Sequence, residues 1–170
     1  FHSFLQKNDL AFESMYATSI NHKIYSFIKD KATSATKRLA KEKGEYLDGI
    51  GFGNRNSHLL AIAPNANSAI VLNTSPSIEP WKSNAFTYRT RAGTFLQVNP
   101  ALKQILLNLD INYEDTIQSI ILSQGSVQHL ECLTKQQKAV FKTAFEIDQM
   151  WIVEHAANRQ QYICQGQSVN

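Results

Sequence analysis

Seven apolar residues, Ile20, Ile24, Phe27, Ile28, Ala32, Ala35 and Leu39, follow one another at offsets of 4, 7, 8, 12, 15 and 19 from the first. That spacing traces a single stripe along an α-helix and cannot be read as the alternating faces of a strand. Lys41 and Lys43 sit where a last helical turn would place them, and Gly44 stands where a C-terminal cap belongs. A long amphipathic helix over about residues 12–43 is therefore predicted. One apolar stripe on a helix of that length is stable only when packed against other elements. Lys29, Lys31, Lys37, Arg38, Lys41 and Lys43 share this stretch, and they read best as its solvated face. The net charge of +3 and pI near 8.9 suit a phosphorylated small molecule but fall well short of the concentrated basic stripe of a nucleic-acid binder.

Beyond the helix, Gly49–Gly53 is a glycine-rich approach to Asn54-Arg55-Asn56-Ser57. The run His58–Ala63 is short and mostly apolar, as expected of a strand buried on both faces. Pro64 ends it, and Asn65 to Ser68 supply capping residue types before Ala69–Leu72. Residues 85–90 and 94–98 flank Arg91-Ala92-Gly93 and predict a β-hairpin over about 85–98. Asn99-Pro100 then opens a helical region over about 100–162, with Pro100 at the first helical position. It contains a short helix at 113–123 and a capping box at Thr134–Gln137. The expected fold is helix-rich α/β, organised as a single piece.

The strand, proline turn and helix start make a generic anion site, because the first helical N–H groups lack intrahelical acceptors and carry the positive end of the helix dipole. Pro64, Asn65, Ala66, Asn67 and Ser68 are the candidate phosphate-binding residues. Most capped helices bind nothing, so the residues alone leave this open. Cys132 and Cys164 lie far apart and form neither a CxxC motif nor a disulfide framework. Both read as small, semi-buried residues of a chain in a reducing, cytoplasmic compartment. The five histidines show no zinc-ligand spacing. His58 reads as a packed or capping residue, Glu79 as a buried structural carboxylate and Trp151 as core. Trp81, Phe86, Tyr88 and Phe95 read as hairpin core. No apolar run approaches the roughly 20 residues of a membrane span, and residues 1–10 lack the pattern of a signal peptide. The chain begins at Phe1 rather than Met and stops at Asn170, so an excised fragment is expected.

Arg55-Asn56-Ser57-His58, Ile62–Ser68 and Ser75-Pro76-Ser77-Ile78-Glu79-Pro80 together resemble the large, catalytic subunit of ribonucleotide reductases. The resemblance continues in order through Thr87–Arg89, Gly93–Phe95, Val98–Pro100, Gly125–Leu130, Phe141–Glu146, His155–Arg159 and Tyr162–Asn170, with Phe1–Gln6 upstream. It implies the C-terminal portion of a ten-stranded α/β barrel, most similar to class I ribonucleoside-diphosphate reductases, with the cobalamin-dependent class II as an alternative. In such a barrel the Pro64 loop cradles a ribonucleoside diphosphate through backbone N–H groups. Asn65 and Asn67 depart from the family's usual Thr and Ser.

The resemblance also implies an oxidoreductase of deoxyribonucleotide biosynthesis and DNA replication, active by a radical mechanism. It implies a homodimeric large subunit, a small radical-generating subunit with a metal centre, and nucleotide effectors. The NxCxE motif of the radical cysteine and the paired tyrosines of the radical relay are not found in these 170 residues. No catalytic residue, metal or cofactor is therefore assigned here, and the piece is expected to be inactive alone. A non-catalytic helical interaction module from a split gene is the reading from a different class.

Overall fold

A computed structural model describes residues 1–169. The chain divides into two compact units, one formed by residues 1–17, 64–151 and Val169, the other by residues 18–63 and 152–168.

In the first unit, α1 (His2–Lys7) precedes α3 (Ala66–Leu72), the hairpin β1 (Ala85–Thr90) and β2 (Gly93–Val98), α4 (Pro100–Leu107), α5 (Tyr113–Leu122) and α6 (Lys135–Val140). The strands pair antiparallel from Ala85↔Val98 to Thr90↔Gly93. Gly93 holds φ at 138°, a value that favours glycine at the loop exit. Tyr88 stacks on Phe95 across the strands at 5.6 Å. The amphipathic helices α4 and α5 supply Leu102, Leu106, Ile117 and Ile120 to a core with Ala85, Val98, Val127 and Phe141. Asn99 caps α4 by accepting from Ala101 N–H at 3.1 Å, and the Thr134–Gln137 capping box opens α6. The helical region expected to run on from there is interrupted after Val140. Glu146 accepts from the Thr143 N–H and hydroxyl at 2.7 and 2.9 Å and from the Ser126 hydroxyl at 2.6 Å, which holds residues 143–146 as a turn. Helix resumes as α7 (Gln149–Gln160), where Trp151 is only half-buried rather than core.

Three amides tie this unit together. Asn99 Nδ2 donates to Gln6 Oε1 and to Asn84 Oδ1, both at 2.9 Å. Asn84 Nδ2 donates to the carbonyls of Gly125 (3.1 Å) and Phe141 (2.7 Å), and Gln6 Nε2 to Val140 O (3.2 Å). Beside them His2 is fully buried, and its Nδ1 accepts from Trp81 N–H at 3.0 Å.

In the second unit, α2 (Met15–Lys43) starts three residues later than the sequence predicts. Ser14 Oγ accepts from Ala17 N–H at 3.1 Å and so fixes the first turn. Gly44, at φ 80°, ends the helix as expected. The line that α2 buries is partly polar: Asn21 and Thr36 are buried, whereas Phe27 and Ile28 of the apolar stripe are exposed. Asn21 Oδ1 accepts from Arg159 Nε at 2.9 Å, and Asn21 Nδ2 donates to His155 O and Asn158 Oδ1 at the same distance. Arg159, 1% exposed, lies over the Tyr25 ring at 5.3 Å. Burial pulls its pKa down to about 10, which leaves it charged at neutral pH.

His58–Ala63 is not the buried strand that its composition predicts. These residues are exposed or half-buried, and Ile62 makes a single parallel bridge with Gln167. A strand covered on both faces needs hydrogen-bonded neighbours and packing layers on each side. Among the described residues, only 165–168 pair with it, through Gln165 N–H to Leu60 O (3.2 Å), Ile62 N–H to Gly166 O (3.1 Å) and Ser168 N–H to Ile62 O (3.0 Å).

Asn84→Ala removes two donors and an acceptor from a site closed to water, and is expected to cost about 3 kcal/mol, read as a lowered urea midpoint. His2 yields a second expectation. Burial lowers its pKa from 6.5 to about 3, so between those values the unfolded chain binds one more proton than the folded one. Stability should fall with pH below about 6.5, by up to about 1.4 kcal/mol per unit. Urea titrations at pH 7, 6, 5 and 4 should show a shallower slope for His2→Gln; equal slopes would contradict this assignment.

Candidate functional site

The Pro64–Ser68 segment is exposed throughout. Asn65 adopts the left-handed conformation, φ 51° and ψ 29°, and makes no side-chain cap. Asparagine is among the few residue types that tolerate this region. Helix α3 begins at Ala66, and Ala69 N–H is bonded back to Asn65 O at 2.9 Å. The N–H groups of Ala66, Asn67 and Ser68 thus stand ahead of the helical ladder. At the other end of α3, Asn73 is again left-handed and its N–H donates to Ala69 O and Ile70 O. Asn73 Nδ2 also donates to Val98 O at 3.3 Å, which anchors α3 to the hairpin. A cavity of about 430 Å³ lies alongside, walled by Ala66, Ala69, Ile70, Trp81, Phe86 and Gln97 among others.

The segment leading to the turn is held by residues that its composition did not single out. Thr36 Oγ1 accepts from the N–H groups of Arg55 and Asn56 at 3.0 and 2.9 Å. Upstream, the Glu45 carboxylate accepts from Gly51 N–H and Gly53 N–H, and both glycines sit at positive φ. The glycine-rich approach is therefore a clamped loop. Cys164 Sγ accepts from the N–H groups of Leu59 and Leu60 at 3.0 and 3.1 Å. Cys132 and Cys164 are both exposed, not semi-buried as expected. The Cys164 thiol lies past the end of α7, beside the pairing between 60–62 and 165–168, and donates to Leu60 O at 3.3 Å. The two N–H bonds, Leu60's first, lower its pKa, with Lys29 adding and burial opposing.

His58 is exposed and Glu79 is buried, in a turn where its N–H donates to Pro76 O at 2.8 Å. Trp81 is buried and Phe86 half-buried. Among the described residues, no group of three or more His, Cys, Asp or Glu is placed to hold a metal ion. No helix among them is long and apolar enough to cross a membrane.

A family model described as the ribonucleotide reductase barrel domain matches residues 47–170. The chain belongs to the ribonucleotide reductase large-subunit family. It is 49% identical over 167 residues to a Frog virus 3 (isolate Goorha) protein named as a ribonucleoside-diphosphate reductase large subunit, across 98% of this chain and 30% of that protein. With the large subunit of Invertebrate iridescent virus 6 it shares 43% identity over 175 residues, 100% of this chain and 18% of the relative. The class Id ribonucleotide reductase alpha subunit of Actinobacillus ureae superposes with a TM-score of 0.88 at 41% identity, over 99% of this chain and 31% of that one. The chain thus spans under a third of the length of these relatives. Residues 47–170, which hold α3 to α7 and the hairpin, match the ribonucleotide reductase barrel domain, and the class Id neighbour agrees with the class I reading of the motifs.

The lowered Cys164 pKa predicts a larger thiolate fraction near neutral pH than a free cysteine has. The rate of iodoacetamide alkylation at Cys164, followed by peptide mapping, should reach half its plateau at a lower pH than that of the same cysteine in the urea-unfolded chain. An equal or higher midpoint would contradict the geometry.

Proposed function

We propose that these residues are part of the catalytic subunit of a ribonucleoside-diphosphate reductase, which reduces ribonucleotides to deoxyribonucleotides for DNA synthesis, and that the Pro64–Ser68 turn holds the substrate's phosphates. The observation that carries this reading is the left-handed Asn65, uncapped and exposed, immediately before α3. It turns the chain so that the Ala66, Asn67 and Ser68 N–H groups lead into the helix with no acceptor of their own along it. Convergent N–H groups and the helix dipole favour a bound anion. The short side chain of Ala66 leaves the backbone approachable, and Asn65, Asn67 and Ser68 add side-chain donors.

In this reading the chain's own residues bind and orient the diphosphate and move no proton or electron. The radical chemistry at the ribose comes from groups elsewhere in the large subunit, started by a small subunit with a metal centre and regulated by nucleotide effectors. The complete large subunit acts as a homodimer in the cytoplasm, and the 170 residues alone turn over no substrate.

Binding of a ribonucleoside diphosphate to the complete large subunit tests the loop by calorimetry. Ala66→Pro deletes one amide donor and also disfavours the left-handed backbone of Asn65 before it. It should weaken binding at least tenfold, in line with about 1.5–3 kcal/mol for a hydrogen bond to a charged group. Asn67→Ala leaves the backbone donors in place and should weaken binding less. Unchanged affinity in Ala66→Pro would overturn the assignment.

A further inference from the structure

Within the second unit, Cys164 borders a small cavity of about 270 Å³. Lys29, Thr33 and Lys37 form one wall, at the spacing of four that aligns them on one face of α2. Asn54 and Asn56 form another. No Asp or Glu lines the cavity, and among the described residues neither lysine is in an ion pair. Two ammonium groups around one cavity, joined by a hydroxyl and two amides and neutralised by no carboxylate, favour an anion.

The thiol at the edge of this cavity is exposed. Its Sγ meets the N–H groups of Leu59 and Leu60 at 3.0 and 3.1 Å, and negative charge on the sulfur strengthens both bonds. Lys29 adds its own charge, so the pKa is lowered. The thiolate is the form that attacks a disulfide. An exposed cysteine alone would exchange with any disulfide that reaches it. Beside two unpaired ammonium groups it discriminates by charge.

We propose that Cys164 is a site of reversible S-thiolation by a small disulfide that carries carboxylates, which Lys29 and Lys37 hold at the cavity. The Cys164 thiolate attacks one sulfur of the disulfide, the S–S bond of the disulfide breaks, and a new S–S bond joins Cys164 to that half. The other half leaves with the electron pair as a thiolate and takes up a proton from water. Cys164 is oxidised and the departing half is reduced, so the disulfide is itself the oxidant. An excess of small thiol reverses the step by the same exchange.

The test uses the complete large subunit, reduced and then exposed near neutral pH and at low ionic strength to glutathione disulfide or to the uncharged disulfide of mercaptoethanol. Initial rates of mixed-disulfide formation at Cys164 are read by peptide mass mapping after the remaining thiols are blocked. The ratio of the anionic to the uncharged rate should be roughly threefold or more above that in the urea-unfolded subunit, as two partly exposed charge pairs would give. Lys29→Gln together with Lys37→Gln should return the ratio to the unfolded value. No adduct at Cys164, a ratio equal to the unfolded value, or a ratio that the double variant leaves unchanged would overturn the proposal. Neither rate involves substrate held at Pro64–Ser68, so this proposal and the phosphate reading fail separately.

Discussion

Asn84, Asn99 and Gln6 carry no charge and are buried, yet between them they tie α1, the hairpin and α4 to the backbone at Gly125, Val140 and Phe141. Asn84 joins the start of β1 to the backbone at Gly125 and Phe141, Asn99 joins the end of β2 to α4, and Gln6 brings α1 to Val140. Two further bonds through Asn99 close the chain of amides. Leucines and isoleucines fill volume without direction, so they set how much is buried but not which carbonyl faces which strand. The amides set that register, because each of their donors has only one place to go. Gly125 shows the same constraint sterically: a Cβ there would fall 2.0 Å from Ser83 Oγ.

The second unit solves the same problem with a cation. Arg159 is buried against Asn21 and the Tyr25 ring, and Asn21 returns its own amide to α7. Gln167 takes the remaining reach of the guanidinium at 3.4 Å and donates to Ala156 O and Gln160 Oε1. The stretch 165–168 is thereby fixed to α7, and it is this stretch that pairs with 60–62. Thr36 and Cys164 then hold residues 55–60 from two other sides. The turn at Pro64–Ser68 thus follows a segment whose backbone is secured by side chains distant in sequence.

Much of this fold was legible from residue order. The period of α2, the Gly44 cap, the Asn99-Pro100 helix start, the Thr134–Gln137 capping box and the hairpin about Gly93 all depend on residues within a few positions of one another. Such signals survive in any environment. The position of the turn and the start of α3 were legible in Pro64 and the residues after it, but the left-handed backbone of Asn65 and its lack of the side-chain cap expected there were not. Three expectations failed where the deciding partner lay far along the chain. His58–Ala63 has the composition of a doubly covered strand but finds a neighbour only at 165–168. The helical region after Thr134 breaks where Glu146 accepts from Ser126, twenty residues back, as well as from nearby Thr143. Cys164 is exposed because two amides a hundred residues away offer its sulfur a polar place.

By itself the sequence determined the end of α2, the capped starts of α4 and α6, where the hairpin turns, and to which family of reductases the ordered motifs belong. The tertiary structure alone decided which polar groups are buried, because burial of Asn21, Thr36, Asn84, Asn99 and Arg159 is possible only once every donor has found its acceptor. It likewise decided which apolar residues stay uncovered. Phe27, Val71 and Leu72 are as hydrophobic as any core residue, and whether they meet another surface is set by what the rest of the chain brings to them.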